Sequence, residues 1–326
     1  MPLLLSERDV RDVLSMDDLI AAMETALAQF SNGGVEQPVR TVLQVGDGHA
    51  FYGIMPAFVR EPAALGTKLV TVYGSNESRG LPSHLATIVL LDPATGGLLA
   101  ILDGRFITEA RTAAASAVSV KRLARADART LAIFGSGVQA GSHLDALMRV
   151  RAITEVRVWS RRFEHADAFV RDRQGTLAAT IRAERSAEAA AEGADVIALV
   201  TAAHEPVLRS EWVADGTHVC AVGACRPDQR EMETALVRRG RVFVDSLAAA
   251  RTEAGDLVIP LREKAFDLSH VQGELGAVVA GRLAGRTGPA EVTIFKSLGL
   301  AVEDVAAARL AWERASAHGL GREFSL

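Results

Sequence analysis

A glycine pattern in the middle of the chain has the spacing of a nucleotide-binding turn. The apolar run Leu131–Phe134 leads directly into Gly135-Ser-Gly137-Val-Gln-Ala140, and residues 139–150 suit a helix. In such a strand–turn–helix unit, the first glycine makes the turn, the second admits a pyrophosphate, and a small third residue packs helix on strand. Free N–H groups at the helix start then bind phosphate oxygens. Glycines after a strand also occur in ordinary turns, so the prediction depends on the strand and the helix that flank this turn.

The residues after the next predicted strand indicate which dinucleotide would bind. Ser160-Arg161-Arg162 follows the apolar run Val156–Trp159, about 20 residues past the glycines, where a carboxylate binds the ribose 2′-hydroxyl of NAD(H). Here no carboxylate occurs before Glu164. Two arginines suit a 2′-phosphate instead, so the sequence favours NADPH, with NADH possible. The alternative is a solvated arginine pair at a strand end.

Three cations in the first third of the chain are candidates to bind an anionic group. Arg40 and Lys68 lie in strand-like runs, where each shares a face with valines because side chains alternate. Burial would lower the pKa of Lys68 and suit it to proton transfer or anion binding. Arg111 is expected in the first turn of a helix after Thr108, where its guanidinium and free N–H groups would hold a carboxylate together. The alternatives are a lysine whose amine reaches water and a surface arginine.

The histidines and cysteines predict neither a metal site nor a reactive thiol. The histidines have no ligand spacing, and among them His84 is expected in a loop near the proposed substrate site. The two cysteines fit no disulfide or zinc pattern. Cys225 follows Gly223-Ala224 at the carboxyl end of a predicted strand, where ligands bind in such sheets, so it is a candidate to line the pocket.

The predicted elements change character near residue 126. Before it, a helix at residues 15–30 is followed by short strands joined by turns, which predicts an antiparallel sheet. These strands are Val39–Val45, Ala50–Met55, Gly66–Tyr73, Leu85–Leu91 and Leu98–Leu102, with a hairpin loop at 46–49 and an alanine-rich helix at 108–126. After it, strands alternate with helices, which predicts an α/β fold with a Rossmann-type, doubly wound parallel sheet. Its strands are expected at Leu131–Phe134, Val156–Trp159, Asp195–Val200, His218–Val222 and Val242–Asp245, and a last helix at 299–317.

Composition narrows the class of protein. Of the 326 residues, 49% are hydrophobic and the net charge is −4, so nothing favours a nucleic-acid partner. The apolar runs are too short to span a membrane and the amino terminus does not resemble a signal peptide, so we expect a cytoplasmic protein. The 36 basic residues include only four lysines, which are Lys68, Lys121, Lys264 and Lys296.

Short segments in a fixed order along nearly the whole chain carry a family resemblance. They include Arg40-Thr, Met55-Pro-Ala, Thr67-Lys-Leu-Val, Pro82-Ser-His-Leu-Ala-Thr, Leu102-Asp-Gly, Ile107-Thr-Glu-Ala-Arg-Thr-Ala-Ala, Gly135-Ser-Gly-Val-Gln-Ala, Gly193-Ala-Asp-Val-Ile, Gly216-Thr-His, Ala221-Val-Gly-Ala-Cys-Arg-Pro-Asp, Val244-Asp-Ser and Phe295-Lys-Ser-Leu-Gly-Leu-Ala-Val-Glu-Asp. With these segments the chain resembles the ornithine cyclodeaminase/mu-crystallin family. Within that family it most resembles the ketimine reductases.

The resemblance implies a homodimer of two-domain subunits. Residues 1–126 and 299–326 would form an α+β, antiparallel-sheet domain for substrate binding and dimerisation, and residues 127–298 would bind the dinucleotide. Arg40, Lys68 and Arg111 would hold the substrate carboxylate, with Lys68 near the proton transfer. The implied cofactor contacts are Gly135, Gly137, Val138 and Gln139 at the pyrophosphate, Ser160, Arg161 and Arg162 at the adenosine end, and Thr201, Val222 and Ser297 near the nicotinamide.

The function implied by the resemblance is NADPH-dependent reduction of a small cyclic imino acid to the cyclic amino acid. Ornithine cyclodeaminase is an alternative, but cyclodeaminases carry an aspartate where this chain has Cys225. An amino-acid or open-chain imino-acid dehydrogenase would share every binding element. A third alternative is a small-molecule-binding protein regulated by NADP.

Overall fold

The computed structural model describes residues 1–46 and 50–325, and these form two compact units. The first comprises Met1–Arg111 with Gly299–Leu326, and the second Thr112–Leu298. The helices are α1 Glu7–Val13, α2 Met16–Ser31, α3 Arg105–Leu123, α4 Val138–Val150, α5 Phe163–Arg171, α6 Ala187–Ala191, α7 Thr234–Arg239, α8 Leu247–Glu253, α9 Gly255–Arg262, α10 Leu275–Val279 and α11 Ala301–His318. The predicted loop at 46–49 includes residues 47–49, which lie outside the described residues.

The strands range from two to ten residues in length. They are β1 Leu3–Leu5, β2 Val35–Glu36, β3 Thr41–Val45, β4 Ala50–Val59, β5 Ala64–Tyr73, β6 His84–Leu91, β7 Leu98–Asp103, β8 Thr130–Phe134, β9 Glu155–Trp159, β10 Thr180–Glu184, β11 Val196–Leu199, β12 His218–Ala221, β13 Arg241–Val244, β14 Val271–Glu274, β15 Thr293–Lys296 and β16 Arg322–Glu323. The mixed α/β class and the separate antiparallel sheet predicted from the sequence are confirmed.

The sheet of the first unit is antiparallel except at one strand pair. Its order is β16-β1-β7-β6-β5-β4-β2, β3 also pairs with β4, and β1 runs parallel to β7. Helix α2 begins where predicted, because the Ser15 side chain accepts the Asp18 N–H and its apolar stripe is buried. Helix α11 packs against β4, β5 and β6. Contact between Lys68 and Asp304 places the middle of β5 against the first turn of α11.

The second unit contains the parallel sheet, in the order β10-β9-β8-β11-β12-β15-β13-β14. From β8 the chain moves outward to β9 and β10 and then returns to add β11 on the other side of β8. Strand order reverses there, so the crevice at the carboxyl ends of β8 and β11 is the expected ligand position. Strands β10, β14 and β15 were not predicted. Residues such as Phe134, Ile197 and Val219 in this sheet are fully buried.

Two boundaries differ from prediction in ways that affect the site. Helix α3 begins at Arg105 rather than Thr108 and ends at Leu123 rather than Ala126. The two units divide inside this helix, between Arg111 and Thr112. Among the helices of residues 1–46 and 50–325, none is long and apolar enough to cross a membrane.

Candidate active site

Lys68 lies at the centre of a buried group of charged side chains in the first unit. Its side chain is 2% exposed, and its Nζ lies 2.6 Å from Oδ2 of Asp304. The other oxygen of Asp304 accepts a hydrogen bond from Nε of Arg111 at 2.9 Å. Nη1 of Arg111 donates to Glu303 at 2.5 Å. Two cations and two carboxylates are therefore held together away from water.

Local structure explains why these residues meet. The pleat of β5 directs Lys68 to the buried face, and Glu303 and Asp304 lie in the first turn of α11. Carboxylates are favourable at that end of a helix because of its positive dipole. Arg40 joins the group through Nη2, which donates to the carbonyl of Gly299 at 2.7 Å, just before α11 begins. We call Arg40, Lys68, Arg111, Glu303 and Asp304 the cationic cluster.

Burial and neighbouring charges set the protonation of the cluster. Burial lowers the pKa of Lys68 to about 8, Asp304 opposes this, and Arg111 and Arg40 add to it. Burial works against ionisation of Asp304, but Arg111 and Lys68 hold the pKa of its carboxyl below the usual value. Burial lowers the pKa of His84 to about 4, with further lowering from Lys68 and Arg111. At neutral pH Lys68 and Asp304 are thus charged and His84 is uncharged.

Three expectations about these residues were wrong in detail. Arg111 is the seventh residue of α3 rather than part of its first turn, because the helix begins at Arg105, so the free N–H groups at the helix start do not assist it. Arg40 precedes β3 and is not in a strand, because β3 begins at Thr41. His84 is the first residue of β6, paired with Val72, rather than a loop residue.

A cavity of about 660 Å³ opens in the second unit at the predicted crevice. Its lining comes from the segments that follow β8, β9 and β11, and comprises Gly135, Ser136, Trp159, Ser160, Arg161, Arg162, His165 and residues 200–207. The predicted cofactor residues Gly135, Ser160, Arg161, Arg162 and Thr201 thus share one cavity. Gly137 and Val138 line an adjoining cleft with Phe169 and Arg173.

The turn after β8 fits a phosphate group. Gly135 has φ +123°, and a side chain there would approach the Val200 carbonyl to 2.8 Å, so only glycine suits the position. Gly137 caps α4, and the described part of the chain supplies no side-chain cap to that helix end. The N–H groups of Val138 and Gln139 therefore begin a helix whose positive end faces outward beside the cavity.

The remaining predicted residues lie together at the ends of β12 and β15. Val222 and Ser297 are buried, and the Ser297 hydroxyl donates to Asp245 at 3.4 Å. The Cys225 thiol donates to the Val222 carbonyl at 3.1 Å and lies 4.0 Å from the Ser297 carbonyl. The roles of these residues stay predictions.

Sequence reasoning missed five charged residues that the structure buries beside these sites. Glu303 and Asp304 complete the cationic cluster, and Glu231, Asp256 and Lys296 form a second buried group in the second unit. The scarcity of lysine was the one available signal for Lys296. Within residues 1–46 and 50–325, no group of histidine, cysteine, aspartate or glutamate has the arrangement of a metal site.

Known proteins of similar sequence and structure share this architecture. Ketimine reductase mu-crystallin of Mus musculus is 43% identical over 316 residues, which are 96% of this chain and 97% of that protein. Delta(1)-pyrroline-2-carboxylate reductase of Thermococcus litoralis, solved with NADH and L-proline, superposes with a TM-score of 0.96 at 39% identity, covering 99% of this chain and all of the other. An archaeal alanine dehydrogenase dimer with bound NAD gives a TM-score of 0.94 at 31% identity, covering 100% and 99%.

The names of the similar proteins confirm the predicted enzyme class, an NAD(P)H-dependent oxidoreductase that acts on CH–NH bonds. The model of the ornithine cyclodeaminase/mu-crystallin family matches residues 1–319. The chain therefore belongs to the ornithine cyclodeaminase/mu-crystallin family.

Proposed function

We propose that this enzyme uses NADPH to reduce a small cyclic imino acid to the corresponding cyclic amino acid. The C=N carbon next to a carboxylate gains a hydride and the nitrogen gains a proton, which gives CH–NH. Relatives named for ketimine and pyrroline-2-carboxylate reduction support this substrate class. A structural neighbour with NADH and L-proline supports both a nicotinamide cofactor and a cyclic product.

The meeting of three basic side chains in the cationic cluster is the observation that carries the proposal. Lys68 and Arg111 contact the two oxygens of Asp304, and Arg40 contacts the carbonyl of Gly299 just before the same helix. Basic side chains grouped in one place suit the binding of a substrate carboxylate, and charge-assisted hydrogen bonds to it would be strong. An uncharged ligand would make no such bonds.

Lys68 is the proposed source of the proton. Its pKa of about 8 keeps most of the amine protonated at neutral pH, yet makes the proton easier to release than that of an ordinary lysine. Arginine could not do this, since its guanidinium does not lose a proton in proteins. Holding the carboxylate fixes the imine relative to Lys68, so positioning supplies much of the rate gain.

The cavity at β8, β9 and β11 is the proposed dinucleotide site. The Gly135–Gly137 turn and the first N–H groups of α4 would hold the pyrophosphate. Arg161 and Arg162 would bind the 2′-phosphate, which is the reason to favour NADPH although the structural neighbours contain NADH or NAD. The bound nicotinamide supplies the hydride. Thr201, Val222 and Ser297 are the proposed residues at that end of the cofactor.

Cyclodeamination is disfavoured by the residue at the end of β12. Oxidation of an amine requires that the amine first lose its positive charge, and a carboxylate accepts that proton readily. Cys225 replaces the aspartate of cyclodeaminases, and a thiol gives up its proton much less readily than a carboxyl group does. A substrate that arrives as an imine has no such requirement.

We also propose a cytoplasmic homodimer. The archaeal alanine dehydrogenase that superposes on this chain is a dimer. Apolar side chains are exposed on both faces of the antiparallel sheet of the first unit, namely Val42 of β3 and Val72 of β5 on one face and Leu43 of β3 and Leu85 of β6 on the other. Exposed apolar patches often mark protein interfaces. Light scattering coupled to size exclusion should give twice the monomer mass of 34.6 kDa.

A substrate panel tests the proposed function directly. Cyclic imino acids of five- and six-membered rings, open-chain imino acids formed from oxo acids and ammonia, and ornithine are each assayed with NADPH and NADH. We expect turnover of a cyclic imine, faster with NADPH, and no ammonia from ornithine. Reduction of open-chain substrates alone would replace the proposal with an amino-acid dehydrogenase. Nucleotide binding without any turnover would favour a binding protein.

A further inference from the structure

One buried glutamate fastens the loop that forms a wall of the dinucleotide cavity. Residues 201–207, in the segment that follows β11, line that cavity. Glu231 contacts this segment at both ends. We infer that Glu231 is a positioning residue that holds the cavity wall in the shape that binds the dinucleotide. The inference rests on the proposed function for the identity of the ligand.

The contacts to the wall use both the side chain and the backbone of Glu231. At the first end, Oε1 accepts hydrogen bonds from the N–H and the hydroxyl of Thr201, at 2.7 and 2.8 Å. At the other end, the carbonyl of Glu231 accepts the N–H groups of Val207 and Leu208, at 2.8 and 3.0 Å. The loop is therefore tied to one residue at its start and at its finish.

The second carboxylate oxygen holds a neighbouring loop. Oε2 accepts the N–H groups of Gly223 and Ala224 at 2.7 and 3.2 Å, in the turn after β12. A side chain at Gly223 would overlap the backbone of Thr201, so the two loops lie in direct contact. Glu231 thus joins the loops that follow β11 and β12, and both of its oxygens accept from two donors.

Buried charges keep this carboxylate in place. Oδ1 of Asp256 accepts the N–H groups of Glu231 and Met232 at 2.8 and 2.9 Å, and Oδ2 lies 3.1 Å from Nζ of Lys296. The side chains of Glu231, Asp256 and Lys296 are all fully buried. Burial raises the pKa of Glu231 to about 7, whereas Lys296 and the bonds from Thr201 favour the carboxylate.

Glu231→Gln tests the inference with little change of shape. All four groups that contact the Glu231 carboxylate are donors, so the new amide NH₂ must face donors at one of the two loops. Glu233→Gln is the matched control, because Glu233 accepts the Ser210 N–H outside the cavity wall. Dissociation constants for NADH are measured by fluorescence in the full chain, and hydrogen exchange of residues 201–208 is measured in the free protein. NADH is used because it lacks the 2′-phosphate, so the proposed contacts of Arg161 and Arg162 with that group do not contribute to the measured affinity.

We expect Glu231→Gln to weaken NADH binding roughly 10- to 100-fold, the size of the effect of removing one hydrogen bond to a charged group. Exchange at residues 201–208 should become faster, and the KM for NADH should rise while the KM for the imine changes little. Glu233→Gln should match the wild-type protein. Unchanged NADH affinity, or weaker affinity with unchanged exchange, would overturn the inference, and so would an equal weakening in Glu233→Gln.

Thr201 provides a second test if Glu231→Gln does not fold. Thr201→Val removes only the hydroxyl contact, so affinity for NADH should fall roughly 10-fold and exchange at residues 201–208 should become faster, and Thr201→Ser should restore both. Wild-type affinity in Thr201→Val, or weaker affinity with unchanged exchange, would overturn the inference. Failure of the proposed function looks different: wild-type protein that binds NADH but reduces no imine rejects the reductase and leaves the role of Glu231 standing. Wild-type protein that binds neither dinucleotide overturns both.

Discussion

Replacing Asp304 by asparagine should move the pH dependence of imine reduction. Asp304 is the carboxylate that favours the ammonium form of Lys68, at 2.6 Å, and it also binds Arg111 at 2.9 Å. In Asp304→Asn, the fully buried Lys68 keeps the opposing effects of burial, Arg111 and Arg40 and loses this compensation. The pKa of Lys68 should therefore fall below its value of about 8.

The size of the shift follows from the cost of breaking a buried ion pair. Removing one partner costs about 3–5 kcal/mol, because the other charge stays buried without compensation. If this cost divides equally between Lys68 and Arg111, about 2 kcal/mol falls on Lys68, which equals about 1.5 pKa units. The pKa of Lys68 would then move from about 8 to about 6.5.

The assay is the pH profile of kcat/KM for a cyclic imine at saturating NADPH, because this ratio reports the groups of the enzyme before the imine binds. The ammonium of Lys68 is the proposed proton donor, so the rate falls as pH rises through the pKa of Lys68. Wild-type protein should lose activity near pH 8, and Asp304→Asn should lose it more than one unit lower. Glu303→Gln is the control, because Glu303 pairs with Arg111, and its profile should move less. Circular dichroism and NADPH affinity check that the variants fold.

A profile that stays near pH 8 in folded Asp304→Asn would refute the reasoning. Either another group would then supply the proton or Asp304 would not control Lys68. A profile that moves equally in Glu303→Gln would show that the total charge of the cluster, rather than the contact with Asp304, sets the pKa.

Three further predictions address the cofactor, the carboxylate and the thiol. The double variant Arg161→Ala, Arg162→Ala should weaken the binding of NADPH much more than the binding of NADH. The expected loss is about 1.5–3 kcal/mol for each charge-assisted hydrogen bond that the variant removes. An equal loss of affinity for both dinucleotides would count against a 2′-phosphate site. Arg111→Lys keeps the charge but removes the planar fork, so kcat/KM for the imine should fall at least about ten-fold with NADPH affinity unchanged; wild-type kinetics would exclude a role for the guanidinium. Cys225→Ser should keep most of the imine reductase activity, since no thiolate chemistry is proposed, and an inactive but folded variant would reveal a role for the sulfur.

In the parallel sheet, strand prediction succeeded for runs rich in apolar residues and failed for β10, β14 and β15. The apolar residues of β8, β11 and β12 predicted buried strands, and the spacing of the glycines located the turn between β8 and α4. β15 lies in the middle of the parallel sheet but ends in Lys296, whose charge interrupts the apolar pattern. β10 is an edge strand with charged side chains, so the solvent-exposed edge removes the hydrophobic signal.

The cations of the candidate site could be found from the sequence, but their partners could not. Lys68 stood out because a lysine on an apolar strand face is unusual. Glu303 and Asp304 did not stand out, because acidic residues in the first turn of a helix are expected from the helix dipole alone. Only the fold shows that this turn lies against Arg111, 192 residues earlier in the chain. The same limit hid Glu231, whose contacts come from the loops that follow β11 and β12 and from Asp256 of α9.

The two buried lysines show why position alone does not identify the proton donor. Lys68 and Lys296 are both fully buried, and each pairs with one aspartate. Burial opposes the charge of both, but Arg111 and Arg40 also act against Lys68, so its pKa falls to about 8. Lys296 instead faces Asp256, Cys225 and Glu231, which hold its pKa above the usual value. An amine surrounded by acidic groups keeps its proton and serves as a fixed counter-charge, whereas one beside two arginines can release it. The sign of the neighbouring charges therefore favours Lys68 for proton transfer and Lys296 for structure.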